Sequence, residues 1–471
     1  MQKERFYERI EFWIFILFII RMIGIIEPPL EINHHWRQVT GLMVSRNFFE
    51  IDCNPFFPRV DDTNGGTGII GMEFPVMNLI YCGFANMFGY AHWYGRLINL
   101  FISSLGLLYF AKVLRVLAFS AKTVFASTLF LGVSIWFSFS RKMMPDTFCV
   151  SIMIAALYFG LLYLNGSKIW SLVMYLVLST IAALSKIPAA IYFVFLIPLF
   201  FDSRHQLSRR VAIVATSIVP VAALSWWYFY WNPHLSQTYG NWYNMGLSLQ
   251  EGLRETVVHW NLALHRFSFD SFCGYVIFGL FLIGLFVMFK KKDWKTVIIF
   301  TFSFALFLVY AFISGHNFYN QSYYIIPIVP VMALVAGQAV ATLGTKKWVF
   351  VLLLVVGASE SIANQQHDFF TKASLRYKMK LESIMDQVSE KDDLVMVNGG
   401  SDPQMIYLSH RKGWTCENDK LFDNQYVNDA IGKNCKFMVI DKHLCSTVPD
   451  YERVYEDDDF IVLSFHPIVQ P

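Results

Sequence analysis

The sequence predicts a polytopic α-helical membrane protein with a small α/β domain at its C-terminal end. Three observations predict it. The 471 residues are 55% hydrophobic and only 15% charged, against about 25% charged in a soluble domain. Apolar runs recur at the roughly 17–25 residues that cross the hydrocarbon core as helix. After about residue 366 the composition turns polar and short strand patterns replace the long apolar runs.

In chain order, spans are expected near 10–27, 95–114, 122–139, 145–164, 170–185, 187–201, 211–231, 273–289, 295–313, 322–341 and 347–363. The run 76–90 is shorter and carries Asn78 and Asn86, which suits an interfacial or re-entrant segment. The pair 170–185 and 187–201 is too long for one span and reads as a hairpin. No small-x-small site follows the first run, so it reads as a retained span rather than a signal peptide.

The distribution of basic residues sets the expected orientation. If 76–90 does not cross, Lys3, Arg5 and Arg9 share a side with Lys112, Arg115, Lys122, Lys168, Arg204, Arg209, Arg210, Lys290 to Lys292, Lys346 and Lys347. That is the positive-inside pattern. It gives about eleven spans in a cell (inner or plasma) membrane, with a cytoplasmic N-terminus and an extracytoplasmic C-terminal domain. The expected domains are 1–365, a membrane domain that includes the first outer loop 28–75, and 366–471, the α/β domain. In the latter, DDLVMVNGG, KFMVIDK and DFIVLSF read as strands and PQMIYLSH as a helix.

Composition also excludes. The net charge of +3 says little, because membrane-protein charges segregate by side, and no nucleic-acid partner is expected. The seven cysteines show no CxxC or Cys/His metal spacing.

Polar chemistry concentrates in the expected outer loops. The first, EPPLEINHHWRQ to MEFP, holds Glu31, His34, His35, Arg37, Arg59, Asp61, Asp62 and Glu73. Glu31 follows Pro28–Pro29 at the membrane boundary. There a low local dielectric would raise its pKa toward that of a useful general base for an acceptor hydroxyl or amine. Arg59 could grip a phosphate through two hydrogen bonds, and Asp61 could order a sugar hydroxyl or a cation; an Arg–Asp pair bracing the loop is the plainer reading. Glu73 with His34 or His35 is a candidate divalent-metal site whose spacing matches no metal motif, and no cofactor is otherwise expected.

Further along, Arg141, Lys142 and Asp146 fall in SRKMMPD and Lys186 in LSKIPA, all at outer helix junctions. Cations there break the positive-inside pattern and invite an anionic partner, against the plainer readings of a Pro–Asp helix start and a snorkelling lysine. His316, Tyr323 and Tyr324 lie in GHNFYNQSYY, where an aromatic belt alone would explain the tyrosines.

Taken in order, EINHHWRQ, FFPRVD, MEFP, FGYAHWYGRL, RKMMPD, LSKIPA and GHNFYNQSYY resemble the GT-C glycosyltransferases of the dolichyl-phosphate-mannose–protein mannosyltransferase and aminoarabinose-transferase type, over roughly 1–365. The resemblance implies transfer of a sugar from a polyprenyl-phosphate donor to a glycolipid, glycan or protein acceptor at the outer face of the bilayer. It implies an acidic catalytic residue in the first outer loop, Glu31 or in reserve Asp61, and a later outer acid, Asp146. Arg59, Arg141 and Lys186 would then meet the donor phosphate, and Arg37, His316, Tyr323 and Tyr324 would line the substrate site.

The chain departs from the pattern in two places. Many relatives have an Asp-Glu pair in the first loop, where this chain has Glu31, Ile32, Asn33 and His34. The lysine of a Glu-Lys-Pro-Pro motif is replaced by Phe74. Two other functions compete: a lipid-linked oligosaccharide flippase, which should show pseudo-symmetric halves and mid-bilayer charges, and a polysaccharide polymerase or ligase.

Overall fold

A computed structural model describes residues 5–30, 34–240 and 246–465. It divides into two compact units. The first comprises Met1–Ile25, Arg96–Tyr230 and Asn244–Phe369; the second comprises Ile26–Gly95, Trp231–Tyr243 and Phe370–Pro471.

The first unit is helical. Among the described residues of the chain, six helical runs are long and apolar enough to cross a membrane: Tyr94–Val116, Pro145–Leu164, Leu207–Tyr239, Trp294–Ser314, Ser322–Leu343 and Lys347–Val388. A seventh is the bent pair Trp260–Asp270 and Tyr275–Lys290, which turns by 96°. The chain is thus a polytopic helical membrane protein, but fewer of its helices have spanning length than the eleven expected.

Local breaks account for the difference. The first helix stops at Arg21, short of residue 27, because Gly24 takes φ 68° and opens a turn. The expected 122–139 span is interrupted after Val133, where the Ser134 hydroxyl accepts from the Trp136 N–H and restarts a four-residue helix. Pro188 turns 187–195 into 3-10 helix, whose rise per residue differs from that of an α-helix. Ile169–Ser185 and Ile187–Phe201 are therefore shorter apolar helices.

Pro145 occupies the first turn of Pro145–Leu164, where its missing N–H leaves no lost bond, and Asp146 follows in the same turn. Small residues let helices approach. A Cβ on Gly106 would sit 2.3 Å from the Ser151 hydroxyl, and one on Gly337 would sit 2.1 Å from that of Ser127.

The second unit is built on a five-stranded mixed sheet. Its strands are β1 (Leu394–Val397), β2 (Lys412–Thr415), β3 (Cys435–Asp441), β4 (Glu452–Glu456) and β5 (Phe460–Ser464), in the order β2-β1-β3-β5-β4. β1 runs parallel to β2 and β3, while β5 is antiparallel to β3 and β4. Met396, Trp414, Met438, Ile440 and Leu463 form its buried core. Three of these strands were expected.

β2 and β4 escape a pattern search. β2 is four residues built on Gly413, whose φ of 149° and closeness to the Val395 carbonyl exclude any side chain. β4 is the charged edge strand ERVYE.

The second unit also contains the loop that follows the first helix, within Ile26–Gly95. The loop covers the β2 edge. Gly413 donates to the Asp61 carbonyl at 3.0 Å and its own carbonyl accepts from Asn64 at 2.9 Å. Val76–Phe88, at 13 residues, is shorter than a spanning helix and belongs to this unit.

Candidate functional site

In the first unit, two helix ends bring Asp146 and Lys186 together. Asp146 stands in the first turn of Pro145–Leu164; Lys186 is the extended residue that ends Ile169–Ser185. Lys186 Nζ donates to Asp146 Oδ1 at 2.5 Å, with the side chains 14% and 4% exposed. Asp146 Oδ2 is buried with no hydrogen-bond partner among the described residues. The ammonium also lies 4.8 Å from the ring centre of Tyr323 and 5.7 Å from that of Tyr324. Tyr324 stacks on Tyr310 at 5.9 Å. Four residues singled out in three separate motifs thus form one cluster: a buried acid with a free oxygen, a half-buried cation, and two aromatic faces. Such a cluster suits a polar, charged ligand with an apolar body.

Arg141 and Lys142 precede Asp146 on a buried turn. The Arg141 guanidinium sits 3.9 Å over the Phe369 ring. Lys142 pairs with Asp368 at 3.4 Å. Two residues that sequence reading passed over hold this turn. The Asn99 amide donates to the carbonyls of Phe139, Lys142 and Met144 at 3.0, 2.8 and 3.1 Å, and its oxygen accepts from Thr147. Arg21, fully buried, donates to the hydroxyls of Ser140 and Ser104 at 2.7 and 3.2 Å. A lone arginine ending an apolar run reads as an interfacial residue, so only its burial reveals it. His316 opens the short helix His316–Asn320 and is exposed.

In the second unit the loop acids and bases are mostly engaged with one another. Asp61 is 2% exposed. It accepts from Arg46 at 2.6 Å and from Asn47 at 2.8 Å. Arg46 also donates to the Tyr407 carbonyl at 3.0 Å and lies 4.3 Å from that ring's centre, while Tyr407 meets Tyr90 hydroxyl to hydroxyl at 2.6 Å. Arg59 pairs with Asp52 at 2.6 Å, not with Asp61 or Asp62. Asp62 accepts from the Thr415 N–H at 3.3 Å. Burial pushes its carboxyl up to about 6, with the Asp61 charge adding and the Thr415 hydrogen bond opposing.

Arg37 pairs with Glu73, and His35 with Asp402 at 2.7 Å. His34 takes a left-handed conformation at the start of His35–Glu50. Among the described residues no three His, Cys, Asp or Glu side chains gather to hold a metal ion. Glu31 lies outside the described residues.

Residues 73–229 match the family model described as dolichyl-phosphate-mannose-protein mannosyltransferase. No curated protein matches the chain. Among solved structures, ArnT from Cupriavidus metallidurans in the apo state superposes with a TM-score of 0.61 at 13% identity, covering 96% of this chain and 97% of that one. The same enzyme bound to undecaprenyl phosphate gives 0.58 at 13% identity, covering 97% of each chain. The Archaeoglobus fulgidus oligosaccharyltransferase, in a complex with zinc and sulfate, gives 0.58 at 10% identity, covering 92% of this chain and 68% of that one. At such identities the likeness is one of fold, and it extends over nearly the whole chain.

Proposed function

We infer from this GT-C fold and the family-matched segment 73–229 that the chain is a polyprenyl-phosphate-sugar-dependent membrane glycosyltransferase. The observation that carries the reading is the buried Asp146–Lys186 pair, which falls inside that segment at the mouth of two helices. The ArnT match holds undecaprenyl phosphate, and a further match, the archaeal oligosaccharyltransferase AglB, holds a dolichol phosphate. A donor of that chemistry presents a phosphate, a sugar and an apolar tail.

In the proposed mechanism the acceptor attacks the anomeric carbon as the carrier phosphate departs, in a single displacement that inverts that carbon. Lys186 and Arg141 stabilise the negative charge growing on the departing phosphate. The unpartnered Asp146 oxygen orders a donor hydroxyl or steadies positive charge on the sugar. Tyr323 and Tyr324 supply the apolar face on which the donor packs. Glu31 takes the acceptor proton, and Arg37 and His316 contribute to the acceptor side. The reaction is proposed for the outer face of the cell membrane, with a glycolipid, glycan or protein as acceptor.

Incubating the purified protein with a panel of polyprenyl-phosphate sugars tests the reading. Release of free polyprenyl phosphate, strongly reduced in Asp146→Asn, is expected from at least one donor. No turnover with any donor, alongside transport of lipid-linked oligosaccharide across vesicles, would replace the enzyme reading with the flippase one.

A further inference from the structure

A cavity in the first unit, about 1010 Å³, reaches the end of the helices remote from Asp146. It is lined by Leu161 and Leu164, from the last turns of the helix that Asp146 begins. At 1.5 Å per residue that places this end of it roughly 25 Å from the Asp146–Lys186 pair, while Ile154 and Leu157 carry its lining back toward the pair. Its volume is at the top of the roughly 300–1,000 Å³ range of ligand pockets.

The cavity has two characters. Leu157, Phe195, Pro198, Ile298 and Leu334 make an apolar body, and Arg204, Arg209 and Lys295 stand at its polar end beside a single carboxylate, Asp202. Arg209 and Lys295 are anchored by carbonyls rather than by acids. Arg209 donates to the carbonyls of Tyr163 and Ser167, and Lys295 donates to that of Leu117 at 2.7 Å. Carbonyl caps fix the position of a cation without cancelling its charge. Arg204 is held by Asp202 at 2.6 Å but keeps 84% of its side chain exposed. The helix Leu207–Trp226 begins at the same end with no side-chain cap on its first N–H groups, which adds positive potential.

A cationic rim over an apolar slot between transmembrane helices matches a lipid with a phosphate head. We propose that this cavity binds an anionic membrane phospholipid. Its phosphate would lie among Arg204, Arg209 and Lys295, and its acyl chain along the Leu157–Leu334 wall. The basic loops place this end in the headgroup layer that the positive-inside pattern assigns to the cytoplasmic leaflet, where anionic lipids concentrate. The proposal is independent of the transfer reaction and stands or falls separately from it.

Thermal unfolding of the full chain in detergent tests it, with added phosphatidylglycerol, phosphatidylcholine, farnesyl phosphate or inorganic phosphate. Phosphatidylglycerol should raise the midpoint, and the others should raise it less or not at all. Arg204→Gln, at an exposed position, should keep the lipid-free midpoint and weaken the apparent phosphatidylglycerol affinity about tenfold. Ile298→Trp, which fills the apolar wall, should weaken it without touching a charge. An equal rise with phosphatidylcholine, or an unchanged response in both variants, overturns the site. A larger rise with farnesyl phosphate reassigns it to a polyprenyl carrier, and an equal rise with inorganic phosphate removes the lipid; either result overturns the proposal.

Discussion

Lys186 Nζ lies 2.5 Å from Asp146 Oδ1, and the other oxygen of that carboxylate is buried without a partner among the described residues. One ion pair thus leaves half of its acid uncommitted. A purely structural pair would normally satisfy both oxygens, because an unpaired buried polar atom costs about 1–3 kcal/mol. The arrangement is the one expected where a ligand completes the site.

Breaking that pair separates structure from function. Lys186→Met should destabilise the protein by about 3–5 kcal/mol by stranding a buried charge. Lys186→Met with Asp146→Leu should recover most of that loss, since replacing both partners removes the desolvation cost. Neither variant should transfer sugar. Thermal melts alongside a donor-turnover assay check this. A stable double variant with wild-type turnover would reduce the pair to packing.

Asp61 is expected to behave in the opposite way. Its two oxygens accept from Arg46 and Asn47, and its backbone carbonyl accepts from Gly413. Asp61→Asn should therefore lower the unfolding midpoint while the folded fraction keeps its turnover. Arg46→Met should destabilise by a similar margin of about 3–5 kcal/mol. Should Asp61→Asn melt like wild type and lose all activity, the reserve-base role moves back to Asp61.

The second unit carries its own pH signature. Hydrogen bonds from the His410 ring to Glu382 and then to Glu50 raise His410 above the ordinary histidine value of about 6.5. A raised folded pKa contributes stability that is complete below about pH 6.5 and is lost as pH rises through the raised value. Asp62, held at about 6 by burial, has the same sign: its contribution is complete below about 3.9 and is lost as pH climbs through about 6. Unfolding midpoints should therefore decline from mildly acidic to mildly alkaline pH. His410→Gln should flatten the upper part of that decline. Asp62→Asn should flatten the lower part and stabilise at neutral pH by about 1–2 kcal/mol after allowance for solvent screening. A midpoint that rises between pH 5 and 8 contradicts both assignments.

How much of this was legible in the sequence follows from distance along the chain. Apolar run length reports a helix directly, so Tyr94–Val116, Pro145–Leu164 and Trp294–Ser314 were readable almost to their ends. Breaks made by one local hydrogen bond, such as that of Ser134, leave the run apolar and were invisible. The site was readable as ingredients. Asp146, Lys186, Tyr323 and Tyr324 each stood out at a helix end, but nothing in the sequence says that 40 residues separate partners 2.5 Å apart. Arg59 shows the converse. Its neighbours Asp61 and Asp62 suggested a local pair, yet the chain reaches back to Asp52. Asn99 lies inside a span, where an amide gives no sign of which carbonyls it binds, and its three acceptors lie 40 to 45 residues away.

The base remains the decisive assignment. Glu31 follows Pro28–Pro29, and in the proposed mechanism it takes the acceptor proton. Glu31→Gln keeps the shape and hydrogen-bonding capacity of the side chain but removes the proton acceptor. Turnover should fall about 10²–10⁴-fold while donor binding and the melting midpoint stay near wild type. The rate should also lose its rise with pH, because that limb reports ionisation of the base. Asp146→Asn should behave differently. It leaves the base intact, so any residual rate should keep the wild-type pH profile while donor affinity drops. Comparing the two profiles distinguishes proton removal from donor positioning. A normal rate in Glu31→Gln, with the pH limb lost instead in Asp146→Asn, would make Asp146 the base and leave the first loop with acceptor binding alone.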